Sequence, residues 1–556
     1  MAAHVPRHLL LLAGVCALTF LAALGRPALT DSDEGFYAES AREMVESGDW
    51  LTPYYNYQPR FEKPVLYYWM AAGAYRFAGP SPGAARLPSA LAGFGLVLVT
   101  FFCARRWCGA TAALLASVIA ATSAAGIAMA HQALPDLPLA FFVAAAVYAA
   151  LVGLFDDPRG APEPRSRLPW LAASALAAAA AALVKGPVGP ALVAAVVLPI
   201  AVLERRRHGA WWRARPAHLL AAAAIFLAAV VPWYAAMTAE HGVAYLYRFF
   251  GAENLERFAT ARYNEPRPLW YYLPIVAGGM LPWTPFMLLW GPAVRDAWRR
   301  RTVDPTVLRL AVWATAPLLL YTLSVGKQPR YIMPLLPPLA ILLAWSMTRA
   351  AVAPAARRLF TAAAAGGGGI LLLLAGLLLR ARPLFVEWDP AWTAAPALAI
   401  GVCGAVVCLT AVRRWWQPVA GLAAAMIVTT LGAHYVLLAS PGPAPVQRMA
   451  ALVAAARTAG EPYCRHRVFD RNLVYYTQVR FKDMVTLDVA REFLQSPERV
   501  LCVLRAEDAA RLGRDGLRLR RLGSVSFLNT GGLTLRALVD PDPDRHLTRA
   551  VLVANR

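Results

Sequence analysis

Lysine is nearly absent from this 556-residue chain: of 55 basic residues only Lys63, Lys185, Lys327 and Lys482 are lysine. Three of the four stand in the short motifs FEKP, VKGP and GKQPR, at the edges of long apolar segments. An arginine-rich, alanine-rich chain keeps a lysine where a compact ammonium on a flexible stem does what a planar guanidinium cannot. These three positions therefore point to a shared site, against the plainer reading of drift in a small sample. Cysteine is scarce too. The seven residues include no pair with CxxC spacing, which speaks against a thiolate metal module, and five of them (Cys16, Cys103, Cys108, Cys403, Cys408) lie in or beside apolar stretches. Charged residues make up only 16% of the chain against 58% hydrophobic, and the mean hydropathy is +0.46. That balance excludes a water-soluble globule and leaves a polytopic membrane protein.

Thirteen stretches are long and apolar enough to span a bilayer: 9–25, 82–102, 110–128, 136–155, 168–184, 187–203, 217–236, 271–291, 307–325, 332–348, 359–379, 393–412 and 418–438. The fifth and sixth are divided only by Lys185-Gly186-Pro187, so they could be read as one. The first, preceded by Arg7 and His8, could alone be a signal peptide; either reading leaves residues 26–80 outside.

The net charge of +22 invites a nucleic-acid reading, but its distribution does not. With the N-terminus inside, twenty arginines fall on the inward connections: Arg7, Arg105, Arg106, Arg159, Arg165, Arg167, Arg205, Arg206, Arg207, Arg213, Arg215, Arg295, Arg299, Arg300, Arg301, Arg349, Arg357, Arg358, Arg413 and Arg414. The outward turns carry far fewer cations, so the positive-inside rule orients the chain and places the C-terminal segment outside.

The expected fold is thus an all-α polytopic membrane domain over residues 1–439, followed by a soluble mixed α/β domain over 440–556. Within the first, the outward loops 26–80 and 237–270 are expected to form the site. In SDEGFYAESAREMVESGDW, Phe36, Ala41, Met44 and Val45 have the spacing of an amphipathic helix entered from the capping run Asp31-Ser32-Asp33. PVLYYWMAAGAYRFAG is a second helix candidate, and both are expected in the interface plane. Loop 237–270 carries Glu240, His241, Arg248, Glu253, Asn254, Glu256, Arg257 and Arg262 and ends in Trp270-Tyr271-Tyr272, a headgroup-level aromatic belt. Beyond 440, HRVFD, DMVTLD, RVLCVL and SVSFLN read as strands and VQRMAALVAAARTAG as a helix. This part has no nucleotide-binding glycine motif. Its Cys464 and Cys502 could pair or could be two buried thiols.

Ionisable residues near membrane depth are functional by default. Asp33 and Glu34 follow the first span, Lys63 follows Glu62, Asp136 opens the fourth span, and Lys185 and Lys327/Arg330 sit in short outward turns. All fall on one face. The alternative, that each is a solvated cap or a snorkelling side chain, does not account for their convergence. Carboxylates beside cations suit displacement at a sugar carbon with departure of a phosphate. Asp31-Ser32-Asp33 has the form of a DxD metal motif, but an external site has no cytosolic nucleotide sugars, which favours a lipid-phosphate-linked donor.

At these residues the chain resembles a known family. DSDEGFYAESAREMVESGDWLTPYYNYQPRFEKPVLYYW, then LPDLP, VKGP, YLYRFFGAENLERF, WYYLPIVAGGMLPW and GKQPRYIMPLLPPLA are similar, in order from about 25 to 350, to the bacterial lipid A aminoarabinose transferases. These are GT-C type, polyprenyl-phosphate-sugar-dependent membrane glycosyltransferases related to protein O-mannosyltransferases. The resemblance implies transfer of 4-amino-4-deoxy-L-arabinose from undecaprenyl phosphate to lipid A phosphates on the periplasmic face of the bacterial inner membrane. It implies Asp33 and Asp136 as the catalytic acids, Lys63 and Arg248 at the carrier phosphate, and Lys185 and Tyr331 lining the same cavity. Glu34, Glu62 and Lys327 complete the expected substrate-contacting set, and Glu62 and His241 are the candidates to hold an adventitious divalent ion. No cofactor is expected to be required. The partners expected are the lipid-linked donor, lipid A and membrane lipids, with no nucleic acid, the protein acting as a monomer. One departure concerns specificity: the family's KLPTY reads KQPRY here, setting Arg330 beside Tyr331. Two rivals remain, a sister transferase for another sugar such as mannose, and a lipid or sugar transporter. No internal repeat supports the transporter.

Overall fold

The structure is a computed structural model, described here for residues 5–155, 166–208, 212–260, 266–385, 387–529 and 534–556. Arg159, Arg165 and Arg262 lie outside these residues. Among those described, ten helices are long and apolar enough to cross a membrane: Pro82–Cys108, Asp136–Leu154, Leu168–Lys185, Val188–Arg206, Pro216–His241, Pro305–Leu323, Pro329–Ala351, Ala356–Arg380, Pro390–Thr410 and Trp416–Leu437. The fifth and sixth apolar stretches are separate helices, divided at Gly186, whose φ of +81° and close approach to Phe249 leave no room for a side chain. The first stretch is a shorter apolar helix, Val5–Leu21.

The third and eighth stretches are not straight. Ala110–Ala121 and Ala124–Ala130 meet at 56°, and Leu269–Gly279 and Thr284–Arg300 at 113°. In hydrocarbon a broken helix must satisfy its freed backbone groups within the protein. Here each break helps the other: Ala124 N donates to Leu281 O at 3.0 Å, and Trp283 Nε1 donates to Thr122 Oγ1 at 3.1 Å. The sharper bend does not turn the chain back. Pro266 bridges to Gly326 at one end of the bundle, while Arg309, near the start of the following helix Pro305–Leu323, pairs with Glu204 at the other at 3.0 Å. Small residues bring backbones together elsewhere; Gly368 packs directly on Gly404, with no space for a Cβ on either.

The first-loop helix, Asp33–Ser47, is capped by Ser32, whose hydroxyl accepts from Glu34 N, and its polar residues as well as its apolar ones are largely buried. Glu34, Glu39, Ser40, Arg42 and Glu43 are all buried. The apolar side packs on Tyr67, Tyr68 and Tyr75 of the helix Leu66–Ala78, and Tyr475 of the C-terminal part joins the same cluster. The polar side finds partners inside the protein: Arg42 reaches Glu39 and Glu46, each at 2.8 Å.

Residues beyond 440 form a five-stranded mixed sheet in the order Lys482–Asp483, Tyr463–His466, Leu501–Arg505, Leu547–Ala554, Arg520–Leu528. The first three run parallel and the last two antiparallel to their neighbours. DMVTLD contributes only the last residue of the strand Lys482–Asp483 and then the start of a helix, Leu487–Leu494, capped by Thr486. The fourth strand in this order, Leu547–Ala554, had no counterpart in the sequence reading. Cys464 and Cys502 are register partners in adjacent strands, both buried and both free thiols. The sheet domain is fastened to the first loop. Leu29 N donates to Tyr476 Oη at 2.9 Å, Asn472 Nδ2 to Leu29 O at 2.8 Å, and Asn56 exchanges two 3.0 Å bonds with the Phe481 backbone.

Candidate functional site

A cavity of about 750 Å³ opens where the first loop, the membrane bundle and the C-terminal domain meet. Three of its charged lining residues occupy helix ends. Asp33 begins the first-loop helix, Asp136 begins Asp136–Leu154, and Lys185 ends Leu168–Lys185. Carboxylates at N-termini and an ammonium at a C-terminus are each favoured by the helix macrodipole, which offsets part of the cost of charge at this depth. Arg330 and Tyr331 come from the short 3-10 helix Pro329–Leu335, and Arg60, Glu62 and Lys63 from the strap before Leu66–Ala78.

These groups form a chain of alternating charge. Lys185 Nζ lies 2.5 Å from Asp136 Oδ1, and Asp136 Oδ2 lies 3.3 Å from Arg330 Nε. Arg330 also pairs with Asp33, whose Oδ1 is 2.7 Å from Arg471 Nη1. Burial pushes the Asp33 carboxyl up, but Arg330 and Arg471 outweigh it and hold the group below the usual carboxylate range. Asp33 is therefore an anion. Tyr331 supports Lys185 with its ring, 4.5 Å from Nζ, and stacks on Tyr321 with centroids 5.1 Å apart.

Lys63 is the most perturbed cation. Its Nζ donates to Glu62 O at 2.8 Å and has no carboxylate partner among the described contacts. Burial first, then repulsion from Arg257 and Lys185, lowers it to about 7. Lys63, Lys185, held by Asp136, and Arg257, held by Glu253, face one volume, and such a cluster of cations suits a phosphate. The wall beside them is apolar: Val188, Ala191, Phe250, Leu255, Phe258 and Leu320.

Not every expected residue reaches the cavity. Glu34 follows Asp33, and one helical step of about 100° turns it the other way. It lies fully buried against Arg86 at 2.7 Å and accepts from Thr30 N and Ala133 N, so it ties the loop to the bundle. Arg248 is exposed, its guanidinium over Phe61 at 5.4 Å, outside the lining. Arg257, nine positions on, lines the cavity and bridges to Glu253 at 3.1 Å. Lys327 donates to Ser324 O at 2.6 Å and Arg267 O at 3.2 Å, holding two connections together. Glu62 lines the cavity and pairs with Arg60 at 3.3 Å. His241 Nε2 shares a 2.7 Å hydrogen bond with Thr52, its ring against Phe61. Among the described residues no three His, Cys, Asp or Glu side chains gather as a metal site. Arg60, Arg257 and Arg471 are the lining residues that motif reading missed; Arg60 and Arg257 sit inside the resembling segments, whereas Arg471 carries no local signal.

By fold, this is a polytopic membrane protein that shares its architecture with solved membrane proteins. Over 98% of both chains it superposes with a TM-score of 0.74 and 24% identity on ArnT from Cupriavidus metallidurans bound to undecaprenyl phosphate. More distantly, it superposes on the archaeal oligosaccharyltransferase AglB from Archaeoglobus fulgidus, with a TM-score of 0.52 and 12% identity over 89% of this chain and 69% of that one. Residues 28–241 match the model of the dolichyl-phosphate-mannose-protein mannosyltransferase family. In particular, the chain is 33% identical over 343 residues to the undecaprenyl phosphate-alpha-4-amino-4-deoxy-L-arabinose arabinosyl transferase of Edwardsiella ictaluri, over 61% of this chain and 59% of that protein. It is 32% identical to the Pseudomonas aeruginosa protein of the same name, over 60% and 58%. The alignments thus span about three fifths of the curated relatives they match. The resemblance read from the motifs is borne out: in sequence this chain is similar to the aminoarabinose transferases, and it shares the ArnT fold.

Proposed function

We propose that this protein is an inner-membrane glycosyltransferase that moves 4-amino-4-deoxy-L-arabinose from undecaprenyl phosphate to the phosphates of lipid A on the periplasmic face. One observation carries the reading: anionic Asp33 shares a cavity with Lys63, Lys185 and Arg257, beside an apolar wall at the membrane end of the site. The carrier phosphate sits against the three cations, and the polyprenyl chain runs along Val188, Ala191 and Leu320. An oxygen of the acceptor phosphate attacks the anomeric carbon. The bond from that carbon to the carrier phosphate breaks, and its electron pair stays on the carrier, where the cations neutralise it. A phosphate monoester, with a second pKa of about 6, is already nucleophilic at neutral pH, so Asp33 serves as a counter-charge to the developing positive centre. No cofactor is required by this scheme, and none of its steps needs a second subunit.

Capping a lipid A phosphate as a diester that carries an ammonium sugar would reduce its net negative charge and lower the affinity of cationic antimicrobial peptides. Expression in a Gram-negative host that makes the lipid-linked sugar but lacks its own transferase tests the proposal. Aminoarabinose on lipid A, with restored polymyxin resistance, is the expected result; an inserted, folded protein that leaves lipid A unmodified overturns it. The mannosyltransferase match over residues 28–241 favours a protein or other envelope acceptor as the second reading, and the same experiment, with glycoprotein analysis, separates them.

A further inference from the structure

Asp33 is clasped by two arginines from distant parts of the chain. Arg330 belongs to the connection after Lys327, and Arg471 belongs to the C-terminal domain. The approach of Arg471 is built into the backbone. Gly35, one turn into the first-loop helix, lies so close to it that a Cβ there would stand 2.2 Å from Arg471 O. Arg471 N donates to Asp31 Oδ1 at 2.8 Å, fixing the segment on the helix start. The Arg471 guanidinium also lies 5.2 Å from the Phe36 ring centroid, and Arg60 lies 4.1 Å from the same ring.

The cations of the cavity therefore fall into two groups around the acids. Lys63, Lys185 and Arg257 line the bundle side; Arg330 and Arg471 meet at Asp33, on the side of the C-terminal domain. The Arg471 side chain is 42% exposed, so its fork is open to an incoming ligand. Lys185, Arg330 and Arg471 share only the two carboxylates Asp136 and Asp33, an excess of positive charge that an incoming phosphate would match.

We propose that Arg330 and Arg471 are the binding site for the acceptor's phosphate monoester, with Gly35 as the contact that lets the C-terminal domain deliver Arg471. The inference rests on the transferase reading above and adds a specificity site to it. On acceptor entry the two forks leave Asp33 for the phosphate oxygens. The freed carboxylate then faces the sugar, so the counter-charge is unmasked when the nucleophile is in place. The phosphate dianion needs no deprotonation; one carbon–oxygen bond forms at the anomeric carbon as the other breaks toward the carrier.

The test uses the full-length protein in lipid nanodiscs with undecaprenyl-linked aminoarabinose and lipid A. Losing a charged hydrogen-bond partner, Arg471→Ala and Arg330→Ala should each raise the KM for lipid A by about tenfold to a hundredfold, leaving the affinity for undecaprenyl phosphate unchanged. Arg471→Lys should recover part of the loss, because it keeps the charge without the fork. Gly35→Ala, which alters no charge, should copy Arg471→Ala if it folds. Inorganic phosphate should compete with lipid A in the wild type and lose potency in Arg471→Ala. An unchanged KM in both arginine variants, or a loss of undecaprenyl phosphate affinity in either, overturns the site. Wild-type protein that binds lipid A in an Arg471-dependent way yet transfers no sugar would sink the proposed function and leave the site standing.

Discussion

Replacing Asp33 by Asn keeps the shape of the side chain and removes one negative charge from a cavity where Arg330 and Arg471 both depend on it. At an effective dielectric of about 20, a unit charge about 5 Å from the anomeric carbon stabilises a developing cation by about 3 kcal/mol. That corresponds to a loss of roughly a hundredfold or slightly more in kcat, within the range found when a single preorganised electrostatic contact is removed. The same substitution leaves the cavity more positive, so the carrier phosphate should bind no less tightly. The signature is therefore a split: turnover of purified Asp33→Asn falls steeply, while its affinity for undecaprenyl phosphate holds or rises. Single-turnover transfer and equilibrium binding of the lipid phosphate, measured on one preparation, read both halves. Near-normal turnover would reduce Asp33 to a cap of the first-loop helix. A parallel collapse of lipid-phosphate binding would show that the charge holds the cavity together.

Lys63, lowered to about 7 by burial and by Arg257 and Lys185, should gain a proton when a phosphate binds beside it. Undecaprenyl phosphate affinity should then fall as pH rises from about 7 toward 9, and a Lys63→Ala variant that keeps the full pH slope would contradict this. Glu34→Gln, which strands Arg86 in the bundle, should cost about 3–5 kcal/mol, read as lost thermal stability in detergent; an unchanged melting temperature refutes the tie. Glu43 is raised to about 8 by burial and by Glu39, so the folded state holds a proton that the unfolded state releases above about 4.5. Its contribution to stability is complete below the unfolded pKa and is lost as pH rises through about 8. Glu43→Gln should flatten that part of a melting-temperature profile, and an identical profile in the variant would count against it.

The membrane part was largely legible because bilayer physics writes it into composition: apolar runs of the right length, arginine on one side, aromatic residues at the boundaries. The bends in the third and eighth stretches were not legible, since they rest on one stretch donating to the other across the bundle. Within the site, Lys63, Lys185, Asp33, Asp136 and Tyr331 could be placed because each sits in a motif at the edge of an apolar stretch. Glu34 could not be separated from Asp33 by motif alone, although one helical step decides between cavity and core. Arg471 was invisible for a plainer reason: its partner lies 438 positions away, and nothing in its neighbourhood is unusual.

The scarcity of lysine acquires a physical meaning from these placements. A guanidinium stays charged under all ordinary conditions, so arginine suits the clasp on Asp33, which a phosphate can take over, and the tie to Glu34. Lys63 occupies the one cation position in the cavity whose charge is brought near neutrality by its surroundings, and arginine would hold a full charge there with no carrier bound. Lys185 must fit a single ammonium between Asp136 and the Tyr331 ring, a space that a planar fork fits less well. Lys327 points its donors at two carbonyls, Ser324 O and Arg267 O, which asks for a compact head on a flexible stem. Lys482, the fourth, sets its ammonium 5.4 Å from the Phe493 ring in the C-terminal sheet domain, away from the cavity. Three of the four lysines thus sit where replacement by arginine changes charge tuning or fit, so an arginine scan should hurt at 63, 185 and 327 and pass unnoticed at 482.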